Sequence, residues 1–279
     1  MIRQRTLKNA VQASGRGLQS GCEVQLTLQP AAVDSGIVVR RVDLQGSPEI
    51  KAGRESLLED FSGTTLGRDG IRVGGVEHLL AAFSGLGIDN ARVDVDAPEL
   101  PLLDGGVGLF VYLLQSAGIA QQAGGKRFIR ILSPVAVEQD GRHASLEPFD
   151  GFKISLGVDV ESSSGVVETR FAGIDFASPA MLRELWMSGS HTPGGAGLSV
   201  AGEGVHDHVE QVLRQRVLDV IGDLYLLGRS MIGAFSGHGA GHALNNRLLG
   251  ELLAQPSAWE EIIFEQDALN PISYLGPAR

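Results

Sequence analysis

Val209-Glu210-Gln211-Val212-Leu213-Arg214-Gln215-Arg216-Val217-Leu218-Asp219-Val220-Ile221-Gly222-Asp223-Leu224-Tyr225-Leu226-Leu227-Gly228 reads as one amphipathic helix, and the rest of the chain is organised around it. Leu213, Val217, Val220, Ile221, Leu224 and Leu227 recur at the three-and-four spacing of a buried helix face. Gln215, Asp219 and Asp223 fall one turn apart on the opposite side. A solvated helix face usually carries Lys and Glu in pairs four apart, but this line has two carboxylates and an amide with no lysine, and Gly222 leaves room beside them. Two readings stay open at this point: a plain polar face, or the lining of a site.

On either side of this helix the pattern is that of sheets covered by helices. Strand-like runs at 128–132, 144–146 and 152–158 precede it, and the apolar run 231–235 and a helix near 243–253 follow. The first half has the same order. Val24, Leu26 and Leu28 alternate with polar residues as a half-buried strand, and Asp34-Ser35-Gly36 turns the chain into Ile37-Val38-Val39. Val76, Leu79, Leu80 and Phe83 make a helix seam with Glu77 and His78 off it, stopped by Gly85 and Gly87. A strand at 91–96, an extended proline loop at 97–101 and a helix through Leu114, with Asp104 as its N-cap, complete the unit.

The fold class is therefore α+β. Two domains of similar architecture, 1–122 and 127–279, are each expected to be a mainly antiparallel sheet layered with helices, the helical layers facing each other. Gln121 to Lys126, rich in Gln and Gly, is the expected boundary. Glu77-His78 and the Gln215/Asp219/Asp223 line then sit on equivalent helices and can meet between the layers.

A chain of 279 residues with 43% hydrophobic and 20% charged content can bury a substantial core. Its net charge of −10 repels phosphate backbones, and Arg40-Arg41 is too short to be a basic patch, so no nucleic-acid partner is expected. The single cysteine, Cys22, excludes an internal disulfide and a cysteine-built metal site; it is expected to pack as a small apolar residue. Met1 to Ala10 lacks the apolar core of a signal peptide and no apolar run approaches a membrane span, so a cytoplasmic protein is expected.

The first half carries Gln4-Arg5-Thr6-Leu7, Gly17-Leu18, Leu26-Thr27-Leu28 with Pro30-Ala31, Val76-Glu77-His78-Leu79, Gly85-Leu86-Gly87-Ile88-Asp89-Asn90, and Ala97-Pro98-Glu99-Leu100-Pro101 with Asp104-Gly105. The second carries Leu218-Asp219, Ile221-Gly222-Asp223-Leu224 and Gly241-His242-Ala243-Leu244-Asn245-Asn246. In this order these motifs resemble the UDP-3-O-acyl-N-acetylglucosamine deacetylase family, zinc enzymes of lipid A synthesis. The resemblance implies His78 and Asp219 as zinc ligands, Glu77 as the general base, and His242 as the group that stabilises charge or protonates the leaving amine. It also implies that Asp223 holds His242 as imidazolium and that Thr192 helps bind the oxyanion. Deacetylation needs such a set: a metal to polarise the carbonyl and activate water, a base and an acid.

The resemblance fails at the third metal ligand. Gln215 and Arg216 stand where the family has histidine and lysine; an amide oxygen is a weak donor for zinc, so zinc is expected to bind weakly or not at all. Arg216 keeps a cation that can meet a substrate phosphate. Gln19, Gly74-Gly75 and Pro193 are further departures. The shortened, glycine-rich 194–204 passage has too little apolar surface for a lipid tunnel. His206 and His208 are candidate replacement ligands, but His208 lies about 10 Å from Gln215 along a continuous helix. His143 and His238 read as surface and turn residues, and Asp89-Asn90 as turn residues. The expectation is a diverged homologue whose deacetylase activity is lost or strongly weakened. It would bind a sugar-nucleotide-like small molecule or a protein of the lipid A pathway. The alternative is a metal-dependent amide hydrolase with altered ligation on a substrate lacking a long acyl chain, and the lipid A deacetylase itself ranks last.

Overall fold

The computed structural model describes residues 1–58, 63–103, 106–161, 167–178, 182–183, 185–186, 206–265 and 269–276. The class is α+β. A five-stranded sheet runs in the order Val11–Arg16, Glu23–Pro30, Ala91–Val95, Ile37–Arg41, Glu49–Lys51, with one parallel pair, Ile37–Arg41 against Ala91–Val95. A seven-stranded sheet runs Val135–Gln139, Arg142–Glu147, Ser230–His238, Arg127–Ile131, Trp259–Ile263, with Phe152–Glu161 beside Ser230–His238 and Val167–Asp175 beyond it. Most pairs are antiparallel, so short turns suffice as connections.

The alternation in Glu23–Pro30 does what period two requires: Val24, Leu26 and Leu28 are buried while Glu23 and Gln25 face out. Helix α1 (Glu77–Leu86) buries Leu79, Leu80, Phe83 and Leu86, and Gly87, in the left-handed region at φ 65°, closes it. Helix α2 (Gly108–Ala117) packs against α1. Helix α3 (His206–Leu224) is the organising helix of the sequence; its apolar stripe from Val217 to Leu224 is buried, and a 3-10 turn, Tyr225–Leu227, ends at Gly228 with φ 71°. Helix α4 (His242–Ala254) packs beside α3. Among the described residues no helix is long and apolar enough to cross a membrane.

Helix α2 begins at Gly108 with Val107 before it, and among the described residues no side chain caps it; Asp104, the expected cap, lies outside them. Within the expected boundary region, Ile119–Gly125 is a strand paired antiparallel with Arg3–Leu7, and Lys126 after it is fully buried. Three expectations differ. Cys22 is exposed, because its backbone turns with Ser20 away from the sheet core. His143 is exposed, as expected, and pairs across strands with His238, which is a strand residue rather than a turn residue; the two rings stack 5.9 Å apart.

The third difference is Asp89-Asn90. Asp89 accepts from Lys126 Nζ at 2.6 Å and from the Arg5 backbone N–H at 2.7 Å, while the Asn90 side chain bonds Gln4, Gln122 and Gly36. Both are buried because the strand ending at Gly125 delivers a cation into the core, and a buried ammonium needs an anion.

Candidate functional site

Helices α1 and α3 cross at Gly222. A β-carbon built there would lie 2.2 Å from the Glu77 carbonyl oxygen, so only glycine permits the approach. The crossing sets the first turn of α1, bearing Glu77 and His78, against the polar line of α3. His78 Nε2 contacts the Gln215 amide nitrogen and lies 3.5 Å from Asp219 Oδ1, and the same Gln215 nitrogen donates to Asp219 at 3.2 Å. Gln215 thus lies between His78 and Asp219, which approach each other as an ion pair.

One turn further along α3, Asp223 is completely buried and accepts three donors. His242 Nδ1 reaches its oxygens at 2.9 and 3.0 Å, Asn245 Nδ2 donates at 2.9 Å, and Thr64 Oγ1 donates at 2.6 Å. His242 opens α4, and Asn245 stands three residues later on the same face of that helix. Thr64 precedes the strand Thr65–Arg68, and its backbone N–H donates to Glu77 Oε2 at 3.0 Å.

Burial and neighbouring charges set the protonation of these groups. Burial pushes the Glu77 carboxyl above its ordinary value, only partly opposed by His78 and His242. Burial disfavours the charged form of His242, but the hydrogen bond and charge of Asp223, with Asp219 and Glu77, outweigh it and hold His242 at about 9. Burial likewise opposes protonation of His78, and Asp219 and Glu77 carry it above its ordinary value. The arrangement thus presents a carboxyl of raised basicity and a stable imidazolium in one cleft, a pairing suited to general base and general acid work.

Arg216 and His242 line a cavity of about 670 Å³ with Arg142, Asp159 and His238. A smaller cavity, of about 60 Å³, lies over Glu77 and His78 with Leu18, Gln19 and Phe110 on its walls. Glu99 holds that wall: its carboxylate accepts the backbone N–H groups of Gln19 and Ser20 at 2.9 and 2.7 Å.

The structure brings together Glu77, His78, Gln215, Asp219, Asp223 and His242, and sets Arg216 on the wall of the neighbouring cavity. Thr192 and the 194–204 passage lie outside the described residues. His206 and His208 belong to the continuous helix α3, the case in which they stay remote from Gln215. Sequence reasoning missed Thr64, Asn245 and Glu99. Asn245 was within reach of it, through its spacing from His242; Thr64, 159 residues from Asp223, had no sequence signal.

Among the described residues the donor set does not fit a three-ligand zinc centre. One imidazole and one carboxylate are joined by a neutral amide, and the amide already engages the imidazole nitrogen that would face a metal. Among the described residues no group of three or more His, Cys, Asp or Glu side chains could hold a metal.

Comparison with known proteins gives one consistent result. The family model for UDP-3-O-acyl N-acetylglycosamine deacetylase (LpxC) matches residues 4–188 and 199–254. The chain is 45% identical to the UDP-3-O-acyl-N-acetylglucosamine deacetylase of Nitrosococcus oceani, over 99% of both chains. It is 45% identical to that of Marinobacter nauticus, over 99% of this chain and 98% of the relative, and 44% identical to that of Pseudomonas entomophila, over 99% of both. The break in the family match, 189–198, contains Thr192 and the start of the glycine-rich passage.

Proposed function

The chain belongs to the UDP-3-O-acyl-N-acetylglucosamine deacetylase family, and from that premise we propose that it is a diverged member whose zinc-dependent hydrolysis is lost or strongly weakened. It keeps a ligand-binding role toward a sugar-nucleotide-like molecule or a protein of the lipid A pathway. The observation that carries this reading is Gln215: its amide lies against His78 Nε2 and donates to Asp219, so it occupies the space between the two residues that would hold a metal. A metal would have to displace that amide and would gain only a weak oxygen donor in return.

The large cavity supports the ligand half of the proposal. Arg216 and Arg142 offer guanidinium forks suited to a diphosphate, and protonated His242 adds a third cation. Residues 1–122 and 127–279 are, on this reading, the two domains whose helical layers enclose the site.

The second reading, an amide hydrolase with altered ligation on a substrate without a long acyl chain, is favoured by one observation. Asp223, His242 and Glu77 keep the geometry and protonation of an acid and a base although the third ligand is gone. In that reading Glu77 accepts a proton from water, His242 donates one to the leaving amine, Thr192 helps bind the oxyanion, and Asp223 orients His242.

Metal content separates the two. Protein purified without added zinc is expected to hold much less than one metal per chain, and Gln215→His to restore zinc binding. A full equivalent of metal in the parent, lost on substitution of His78 or Asp219, would overturn the first reading. No gain from Gln215→His would mean that the pocket no longer accommodates a metal even with the third imidazole present.

A further inference from the structure

Thr64 stands between the two halves of the site. It is the one residue whose described bonds reach both the Glu77 carboxyl, through its backbone N–H at 3.0 Å, and the Asp223 carboxylate, through its hydroxyl at 2.6 Å. Its hydroxyl also lies 3.3 Å from His242 Nδ1. The side chain is fully buried, so no water replaces these bonds.

We propose that Thr64 is a positioning residue for the Asp223–His242 pair: its hydroxyl fixes the rotation of the carboxylate and takes up part of the negative charge that would otherwise act on the imidazole.

The geometry gives the direction of the effect. Asp223 has two oxygens and three side-chain donors. Asn245 and the closer approach of His242 share Oδ2, whereas Thr64 and the longer approach of His242 share Oδ1. The Thr64 bond is the shortest of the four. Without the hydroxyl, Oδ1 answers to His242 alone, and a carboxylate with fewer donors holds an adjacent imidazolium more tightly. The 3.3 Å contact from Thr64 to His242 is too long to offset this, because hydrogen bonds weaken with distance.

The other charged groups facing His242 do not reproduce the effect. Asp219 on α3 and Glu77 on α1 raise its proton affinity through space, His78 on α1 interacts with it in turn, and Arg216 on α3 lines the same cavity, as do Asp140, Arg142, Asp159 and His238 from the sheet side. None of them is described as bonded to Asp223, so none changes how its charge is shared. The chain thus has a means, separate from the metal position, of setting how readily His242 releases its proton. This bears on the proposed function only in that it concerns the same cleft. It is read by the proton on His242, whereas the metal reading is read by metal content, so each can fail alone.

The test is a histidine-resolved NMR titration of the full chain, following His242 between neutral pH and pH 11. The variants are Thr64→Val, which keeps shape and loses the hydroxyl, and Thr64→Ser, which keeps the hydroxyl. The expected result is that Thr64→Val moves the His242 midpoint up by about half a unit or more, the size of one net hydrogen bond. Thr64→Ser is expected to stay at the parent midpoint. An unchanged or lowered midpoint in folded Thr64→Val would overturn the proposal. So would a Thr64→Ser shift as large as that of Thr64→Val. If Thr64→Val does not fold, Thr64→Ala takes its place with the same expected direction and the same refuting results.

Discussion

Gly222→Ala sets two physical effects against each other with opposite signs. Alanine is the better helix former, by about 1 kcal/mol in a helix interior, so propensity alone predicts a more stable protein. The crossing of α1 and α3 predicts the reverse. The new β-carbon would sit 2.2 Å from the Glu77 carbonyl oxygen, 2.9 Å from its carbon and 3.0 Å from its Cα. These are backbone atoms, so no rotamer change relieves the overlap. To reach ordinary contact, at 3.4 Å or more, the helices must part by roughly 1.2 Å. Overpacking of this kind costs about 1–3 kcal/mol, and the upper part of that range applies where backbone is the obstacle.

The net expectation for Gly222→Ala is a loss of ~2 kcal/mol, read as a lower midpoint in urea with an unchanged slope. Parting the helices also draws His78 away from Gln215 and Asp219, so the same variant should bind ligand in the cleft less well. Gly250 on α4 is the internal control. Its β-carbon would meet only the Arg54 guanidinium, at 3.0 Å, a flexible end that can swing aside, so Gly250→Ala should be neutral or gain up to about 1 kcal/mol. If Gly222→Ala were as stable as Gly250→Ala, the tight crossing, and with it the stated reason for glycine on this helix, would be wrong.

Two further outcomes can be checked by similar means. Lys126→Met removes the cation of a buried pair and leaves Asp89 with the Arg5 N–H as its charged-state partner, so a loss of about 3–5 kcal/mol in thermal or urea unfolding is expected. Part of that loss should return in the double variant Lys126→Met/Asp89→Asn, and a single variant as stable as the parent would contradict it. The second concerns pH. His242 is raised from 6.5 to about 9, so its contribution is fully present below pH 6.5 and is lost as pH rises through about 9. At 1.36 kcal/mol per unit this is ~3 kcal/mol, and His78, raised in the same direction, adds to it. Stability measured from pH 6 to 10 should therefore fall steeply in the parent and much less in Asp223→Asn; equal slopes would mean that Asp223 is not what holds the proton.

Much of the site was legible because helical periodicity is a local property. The spacing of Gln215, Asp219 and Asp223 put them on one side of a helix, and the position of Glu77 and His78 off the apolar seam put them on one side of another. Strand alternation likewise located the buried face of Glu23–Pro30. The misreadings share a different cause. Asp89-Asn90 looks like a turn, yet Asp89 is the counter-charge of a buried lysine and Asn90 is hydrogen-bonded to Gln122. Their partners lie more than 30 residues away in the chain, and local patterns carry no information about them.

The sequence by itself thus determined the α+β class, the family and the presence of an amide, Gln215, in line with Asp219 and Asp223, because composition, period and residue identity are all written locally. Tertiary structure alone decided what surrounds that amide. It placed the Gln215 amide between His78 and Asp219, brought Thr64 to Asp223 across 159 residues, and made Gly222 the point at which two helices touch. The physical reason is that a hydrogen bond or a close contact depends on separation in space, which is set only when the halves of the chain pack together.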